Sequence, residues 1–174
     1  MPIAEIQIVE ISLDDLQVLK HLSRKTFHAT FGNLNTPENM QRYDDLHFGD
    51  EQLRLELLNP DSKFFFARLE DEVLGYLKIN QADAQTILPN EAGMEIERIY
   101  VDQQIKGRGI GKMLIEKTVM LAREAGVKYI WLGVWEHNTQ AIGFYERNGF
   151  HIYGQHLFLL GDDEQTDLLM KRML

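Results

Sequence analysis

Apolar and polar residues alternate over residues 3–11, the two-residue period of a strand with one buried face. The period then lengthens. Ser12 with Asp15 three positions on makes a capping-box-like start, and Leu16, Leu19 and Leu22 lay down the stripe of a helix that Phe31-Gly32-Asn33 ends. Thr36-Pro37-Glu38 opens a second helix, with a hydroxyl N-cap, a proline at the first helical position and an early acid. A third, short helix covers 50–58 and stops before Pro60. Extended runs at 62–70 and 73–80 meet at Asp71-Glu72 and predict a hairpin. From 81 to 92 the periodicity is lost and Pro89 marks a loop, after which 94–101 resumes as a strand. Residues 109–125 place Ile110, Leu114, Leu121 and Ala125 on one helical face, closed by Gly126, and 128–135 is a further strand. Strand, helix and strand within about 40 residues make a βαβ unit, so part of the sheet is parallel and its crossover right-handed. Asn138 opens a last helix that Asn148-Gly149 ends, and extended runs at 150–160 and 166–173 flank the acidic loop Gly161-Asp162-Asp163-Glu164. The fold class is α/β with a mixed sheet.

The length of 174 residues suits one domain, 1–174, and no linker, repeat or low-complexity block divides it. Charge narrows the partners: 18 Lys+Arg against 27 Asp+Glu leave a formal −9, which repels a phosphate backbone and argues against nucleic acid. Cysteine is absent, which removes disulfides, thiolate zinc sites and every mechanism that needs a thiolate nucleophile. Serine occurs only at Ser12, Ser23 and Ser62, none of them in a Gly-x-Ser-x-Gly turn. The six histidines lack His-Glu-x-x-His spacing, so no metal is expected. The acidic, alternating N-terminus does not read as a signal peptide, and no run approaches the ~20 apolar residues of a membrane span. A cytoplasmic protein without membrane partners is the expectation.

The segment from Gln104 to Lys112, between strand 94–101 and helix 109–125, reverses the overall charge. Lys106, Arg108 and Lys112 are interleaved with Gly107, Gly109 and Gly111, and no acid occurs between Gln104 and Glu116. Glycines leave amide N–H groups unshielded at a helix N-terminus, where the helix dipole favours an anion. A Walker A loop fails here, because Lys106 stands at the leading glycine and Met113 at the Ser/Thr. A dinucleotide fingerprint has Lys112 where the third glycine belongs. The pattern Gln/Arg-x-x-Gly-x-Gly/Ala is met in full by Gln104, Gly107 and Gly109.

With that loop the chain resembles the GNAT superfamily of N-acetyltransferases. The stretches 96–101 (IERIYV), 131–138 (WLGVWEHN), 141–150 (AIGFYERNGF) and 161–172 (GDDEQTDLLMKR) look like its polyamine acetyltransferase branch. The resemblance implies a GNAT fold whose two central parallel strands splay apart, and acetyl-CoA as cosubstrate. Its pyrophosphate would lie on the loop amides of Ile105, Lys106, Gly107, Arg108, Gly109, Ile110, Gly111 and Lys112, with Gln104 also among the cofactor-binding residues, and its pantetheine arm along Ile99, Tyr100 and Val101 with Asn138 near by. Tyr145 matches the family's general acid, a phenol that still carries its proton at neutral pH. Glu97 matches a carboxylate used as proton acceptor, and the strand period places it on one face with Glu95, Ile99 and Val101. Asp102-Gln103 stands where members often have proline. Trp131 and Trp135 read as sheet packing, with a cation–π role open to Trp135.

The activity so implied is direct transfer of acetyl to a primary amine of a polyamine such as spermidine or spermine. Acid clusters at Asp44-Asp45, Asp50-Glu51, Glu95/Glu97 and Asp162-Asp163-Glu164 would attract a polycation. A protein N-terminus, a lysine or another small amine as acceptor stays open, as does an acyl-CoA-responsive regulator. Members often form homodimers.

Overall fold

The computed structural model describes residues 5–87 and 90–174. Seven strands build one sheet: β1 (Gln7–Glu10), β2 (Ser62–Leu69), β3 (Glu72–Asn80), β4 (Gly93–Val101), β5 (Tyr129–Trp135), β6 (His151–Leu160) and β7 (Asp163–Met173). Their order is β1-β2-β3-β4-β5-β7-β6, antiparallel except where β4 meets β5. Helices α1 (Leu16–Phe31), α2 (Pro37–His47) and α3 (Asp50–Leu58) pack on one face around Phe27, Phe48, Phe64 and Tyr76. Helices α4 (Ile110–Glu124) and α5 (Thr139–Arg147) pack on the other around Ile96, Leu114, Ile130 and Met170. This is the single mixed α/β sheet that the alternation and the βαβ spacing predict.

The local starts form as their chemistry requires. Asp15 accepts from the Ser12 amide at 3.0 Å, and the Thr36 hydroxyl accepts from the Asn39 amide at 3.2 Å with Pro37 behind it. Some boundaries move. β1 begins at Gln7, whereas Ile3 and Ala4 of the expected strand, and Pro89 of the expected loop, lie outside the described residues. The hairpin turn is Glu70-Asp71 rather than Asp71-Glu72, because Leu74 is an extra residue on β3 that shifts the pairing from Ala67↔Gly75 to Arg68↔Val73. The acidic loop shrinks to Gly161-Asp162, since Leu160 pairs with Asp163 and Glu164 is already in β7. Ala125 sits exposed at the end of α4, and Ala122 takes the buried place expected for it.

Two irregularities open the sheet. β4 and β5 pair only at Gly93↔Tyr129, Met94↔Ile130 and Glu95↔Trp131, then part; β4 continues along β3 to Val101 and β5 along β7 to Trp135. At the point of parting, Lys78 faces Arg98 and Ile79 faces Ile96, so Glu97 is a bulge without a cross-strand partner. A bulge bends its strand and raises the local twist, which turns β4 away from β5. It also reverses the face parity. Glu97 therefore does not share a face with Ile99 and Val101 as the two-residue period predicts: those two join the α4 side, while Glu95, Arg98 and Tyr100 point to the α1–α3 side.

Candidate active site

The parted strands enclose a cleft of about 670 Å³ that passes through the sheet from the α4–α5 side to the α1–α2 side. On the α4 side its rim is the basic glycine turn. Asp102 stands where a proline is frequent and closes this turn: its carboxylate accepts from the Gln104 amide and its carbonyl from the Ile105 amide, both at 3.1 Å. Those two amides are therefore engaged within the protein, and Ile105 packs its side chain on the core.

From Lys106 to Lys112 no backbone amide has an acceptor among the described residues, the first helical bond being Met113 N–H to the Gly109 carbonyl at 3.1 Å. Gly107 and Gly109 hold φ of +87° and +80°, a region that a side chain would strain. Gly111 is needed for space, since a Cβ there would lie 2.9 Å from Cζ of Phe144 on α5. The donors thus form a concave row with Lys106 and Lys112 beside it. Gln104 and Arg108 fall outside the cleft wall, while Ile99, Tyr100, Val101, Ile105, Lys106, Gly107, Gly109, Ile110, Gly111 and Lys112 line it. A chain of amides, a helix N-terminus and two ammonium groups suits a diphosphate.

Asn138 caps α5 by accepting from the Ala141 amide at 3.2 Å, and its side chain also borders the cleft. About two turns on, Tyr145 lines the cleft and is buried at 8% exposure against Phe144 and Phe150. Burial drives its pKa far above that of free tyrosine, so the hydroxyl keeps its proton at all working pH values.

Glu97 reaches the cleft as expected, but its carboxylate is committed. It accepts from Asn80 Nδ2 at 2.7 Å, pairs with Lys78 Nζ, and meets the Arg98 guanidinium at 3.2 Å. Arg98 in turn forms a bidentate pair with Glu56 of α3 at 2.8 and 3.1 Å. Burial opposes the Glu97 charge, yet Arg98, Lys78 and the Asn80 bond outweigh it and hold the pKa at about 2. A carboxylate that acidic is a poor proton acceptor at neutral pH. Burial leaves the neighbouring Glu95 with a raised pKa, and it is fastened by Thr86 and Asn80.

On the α1–α2 side the cleft becomes an aromatic chamber. Phe27 stacks on Tyr43 at 4.1 Å, Phe31 leans on Trp135 at 5.9 Å, and Phe158 closes on Tyr43 at 6.2 Å. Trp135 therefore lines the chamber, whereas Trp131 is a core residue donating its Nε1–H to Gln85 at 2.7 Å. Asp167 of β7 also enters here, opposite Trp135 and over Gly133. Tyr43, Phe158 and Asp167 were not legible as site residues; the available signals are an acid inside the run 166–170 and a glycine inside β5, which marks a close approach. The acid clusters expected to draw a polycation are largely paired within the protein: Asp44 with His28, Asp50 with Lys20, Glu51 with Arg54, and Asp162 with Asn39.

Among the described residues no helix is long and apolar enough to cross a membrane. Comparison with known proteins agrees with the geometry. Residues 20–150 match the Acetyltransferase (GNAT) family. The chain is 41% identical over 169 residues to an uncharacterized N-acetyltransferase in the pepI 3' region of Lactobacillus delbrueckii subsp. lactis, covering 97% of this chain and 98% of that one. It is 23% identical over 171 residues to a spermidine N(1)-acetyltransferase of Thermoplasma acidophilum, covering 96% of each. In structure it matches the PaiA N-acetyltransferase of Thermoplasma acidophilum in complex with coenzyme A, with a TM-score of 0.81, 21% identity, and coverage of 98% and 99%. The family match and the near end-to-end relative lead to one conclusion: the chain belongs to the GNAT family of N-acetyltransferases and uses acetyl-CoA as its acyl donor.

Proposed function

We propose that this enzyme acetylates a primary amine of a polyamine such as spermidine or spermine by direct attack on acetyl-CoA in a ternary complex. The observation that carries this reading is the chamber on the α1–α2 side, where aromatic faces and a carboxylate that no lysine or arginine pairs with among the described residues surround the far end of the cleft. Aromatic faces attract an ammonium group and the methylene stem beside it, and the carboxylate adds charge attraction. The resemblance to a spermidine N(1)-acetyltransferase over nearly the whole length supports the same acceptor class.

In this reading the free amides of residues 106–112 hold the diphosphate, and Asn138 with Ile99, Tyr100 and Val101 borders the pantetheine arm. Tyr145 delivers its proton to the departing sulfur. For free groups that transfer is uphill by about 2 kcal/mol, from a phenol of pKa ~10 to a thiolate of ~8.5. Without cysteine the chain has no thiol to carry an acyl intermediate, which favours direct transfer.

The test is acetyl-CoA consumption across spermidine, spermine, putrescine and a lysine-bearing peptide. Turnover with spermidine or spermine should exceed that with the peptide at least tenfold in kcat/KM. Preference for the peptide would refute the polyamine assignment.

A further inference from the structure

When an amine attacks a thioester, its nitrogen becomes cationic as the C–N bond forms and must shed a proton before the thiolate leaves. Glu97 is badly placed to take it, with three donors on its carboxylate. Asp167 is built differently. It enters the same cleft from β7, pairs across the sheet with Trp135, and lays its Oδ2 against Gly133, where a Cβ would come within 3.2 Å. Any larger residue at 133 would displace the carboxylate or be displaced by it. Among the described residues no lysine, arginine or amide donates to Asp167, and His156, opposite it on β6, is the charged group that acts on it.

We propose that Asp167 is the catalytic residue that receives the proton of the attacking amine. This rests on the acceptor being an amine, and not on which amine it is. The entering ammonium first gives one proton to solvent water; the freed nitrogen lone pair then forms the C–N bond, the second N–H proton passes to the Asp167 carboxylate, and the tetrahedral centre collapses. The C–S bond breaks as the Tyr145 hydroxyl protonates sulfur, yielding amide and CoA thiol. Asp167 then loses its proton to water and Tyr145 regains one, so the count balances. Burial, with little relief from His156, lifts the Asp167 carboxyl to about 6, near the working pH, whereas Glu97 at about 2 stays ionised.

The other titratable groups around the chamber are Tyr43 on α2, Glu97 and Tyr100 on β4, His137 after β5 and His156 on β6, with the Tyr100 phenol held protonated by burial. Burial holds the Tyr43 phenol well above its usual value, so it stays protonated. The imidazoles are therefore the alternatives that a test must separate.

The test uses the full chain with acetyl-CoA and two acceptors, spermidine and propylamine. Asp167→Asn should lower kcat about a hundredfold or more and abolish the loss of rate below pH ~6, while acetyl-CoA affinity by calorimetry changes less than about twofold. A variant within about threefold of the parent overturns the assignment, as does an acid limb that survives in Asp167→Asn but is lost in His156→Gln. Carboxylate 13C resonances of the parent protein supply a readout that needs no turnover. One carboxylate should titrate near pH 6 and be missing from Asp167→Asn; an Asp167 that titrates near 4 overturns the proposal. A chain that acetylates propylamine but not spermidine refutes the polyamine reading and leaves this test intact.

Discussion

Glu97→Gln isolates the buried charge ladder. Four groups, Glu56 and Glu97 against Lys78 and Arg98, neutralise one another between α3 and the bulge of β4, each carboxylate touching both cations. Its pKa falls from an ordinary 4.5 to about 2, a depressed carboxylate whose contribution is complete above 4.5 and is lost as pH falls toward 2. The difference of about 2.5 units, at 1.36 kcal/mol each, amounts to about 3 kcal/mol at pH 7, of which about half remains at pH 3. Gln has nearly the same shape and still accepts from Asn80, so the variant removes the charge with little change in volume. It should unfold with about 3 kcal/mol less stability at pH 7, roughly 6–12 °C in Tm for a domain of this size. Urea unfolding of both proteins at pH 7, 5 and 3 measures it, and the gap should be nearly the same at pH 7 and 5 and fall to about half at pH 3. A gap below about 1 kcal/mol at pH 7, or one that does not change with pH, would refute the assignment of a paired, ionised Glu97.

Tyr145→Phe keeps the ring between Phe144 and Phe150 but removes the proton source, so kcat should drop about a hundredfold with acetyl-CoA affinity nearly unchanged; steady-state kinetics with calorimetry separates the two. Gly111→Ala brings a Cβ to within 2.9 Å of Phe144, prises α5 from the N-terminus of α4, and should raise KM for acetyl-CoA while lowering Tm. Gly107→Ala has space but the wrong φ, so it should cost about 1 kcal/mol and weaken acetyl-CoA without touching the amine KM. Asp167 has the opposite sign to Glu97: its raised pKa means full stability below 3.8 and a loss as pH rises through about 6. Asp167→Asn should therefore be more stable than the parent at pH 8, by about 1–2 kcal/mol after allowing for its partial exposure, with the gain vanishing at pH 4.

The elements were legible where chemistry is local. Thr36-Pro37, the Gly126 stop of α4 and the Asn138 cap of α5 act through neighbours in the chain, and each forms where its residues indicate. The basic turn was legible for the same reason, since charge reversal and glycine spacing are written in consecutive positions. What failed depends on strand register. A bulge is one extra residue in one strand, and nothing in MEIERIYV marks Glu97 rather than Glu95 as the unpaired one. Missing it misassigned the face of Glu97, concealed its partners Lys78 and Arg98 at positions 19 residues or fewer away, and made a committed carboxylate resemble a free base. Asp167 was hidden by the complementary effect, because its exposure to the cleft depends on β7 lying beside β5 and on Gly133 leaving the space.

The charge distribution also bears on the direction of substrate traffic. The net charge of −9 is interrupted at the basic turn, which in the proposed reading faces the anionic donor, while the aromatic chamber proposed for the acceptor opens toward Asp167 on the other side of the sheet. An incoming ammonium is drawn to that carboxylate, whereas the amide that forms carries no charge at the reacting nitrogen and loses the attraction. The stability that Asp167 withholds from the fold above pH 6 is thus coupled to acetylation itself. A cation in the chamber favours the ionised carboxylate and relieves part of its burial penalty, and the neutral product restores that penalty. An unpaired carboxylate in a half-buried chamber would be a defect in a structural core; beside the cleft of an amine acetyltransferase it favours entry of the reactant over retention of the product.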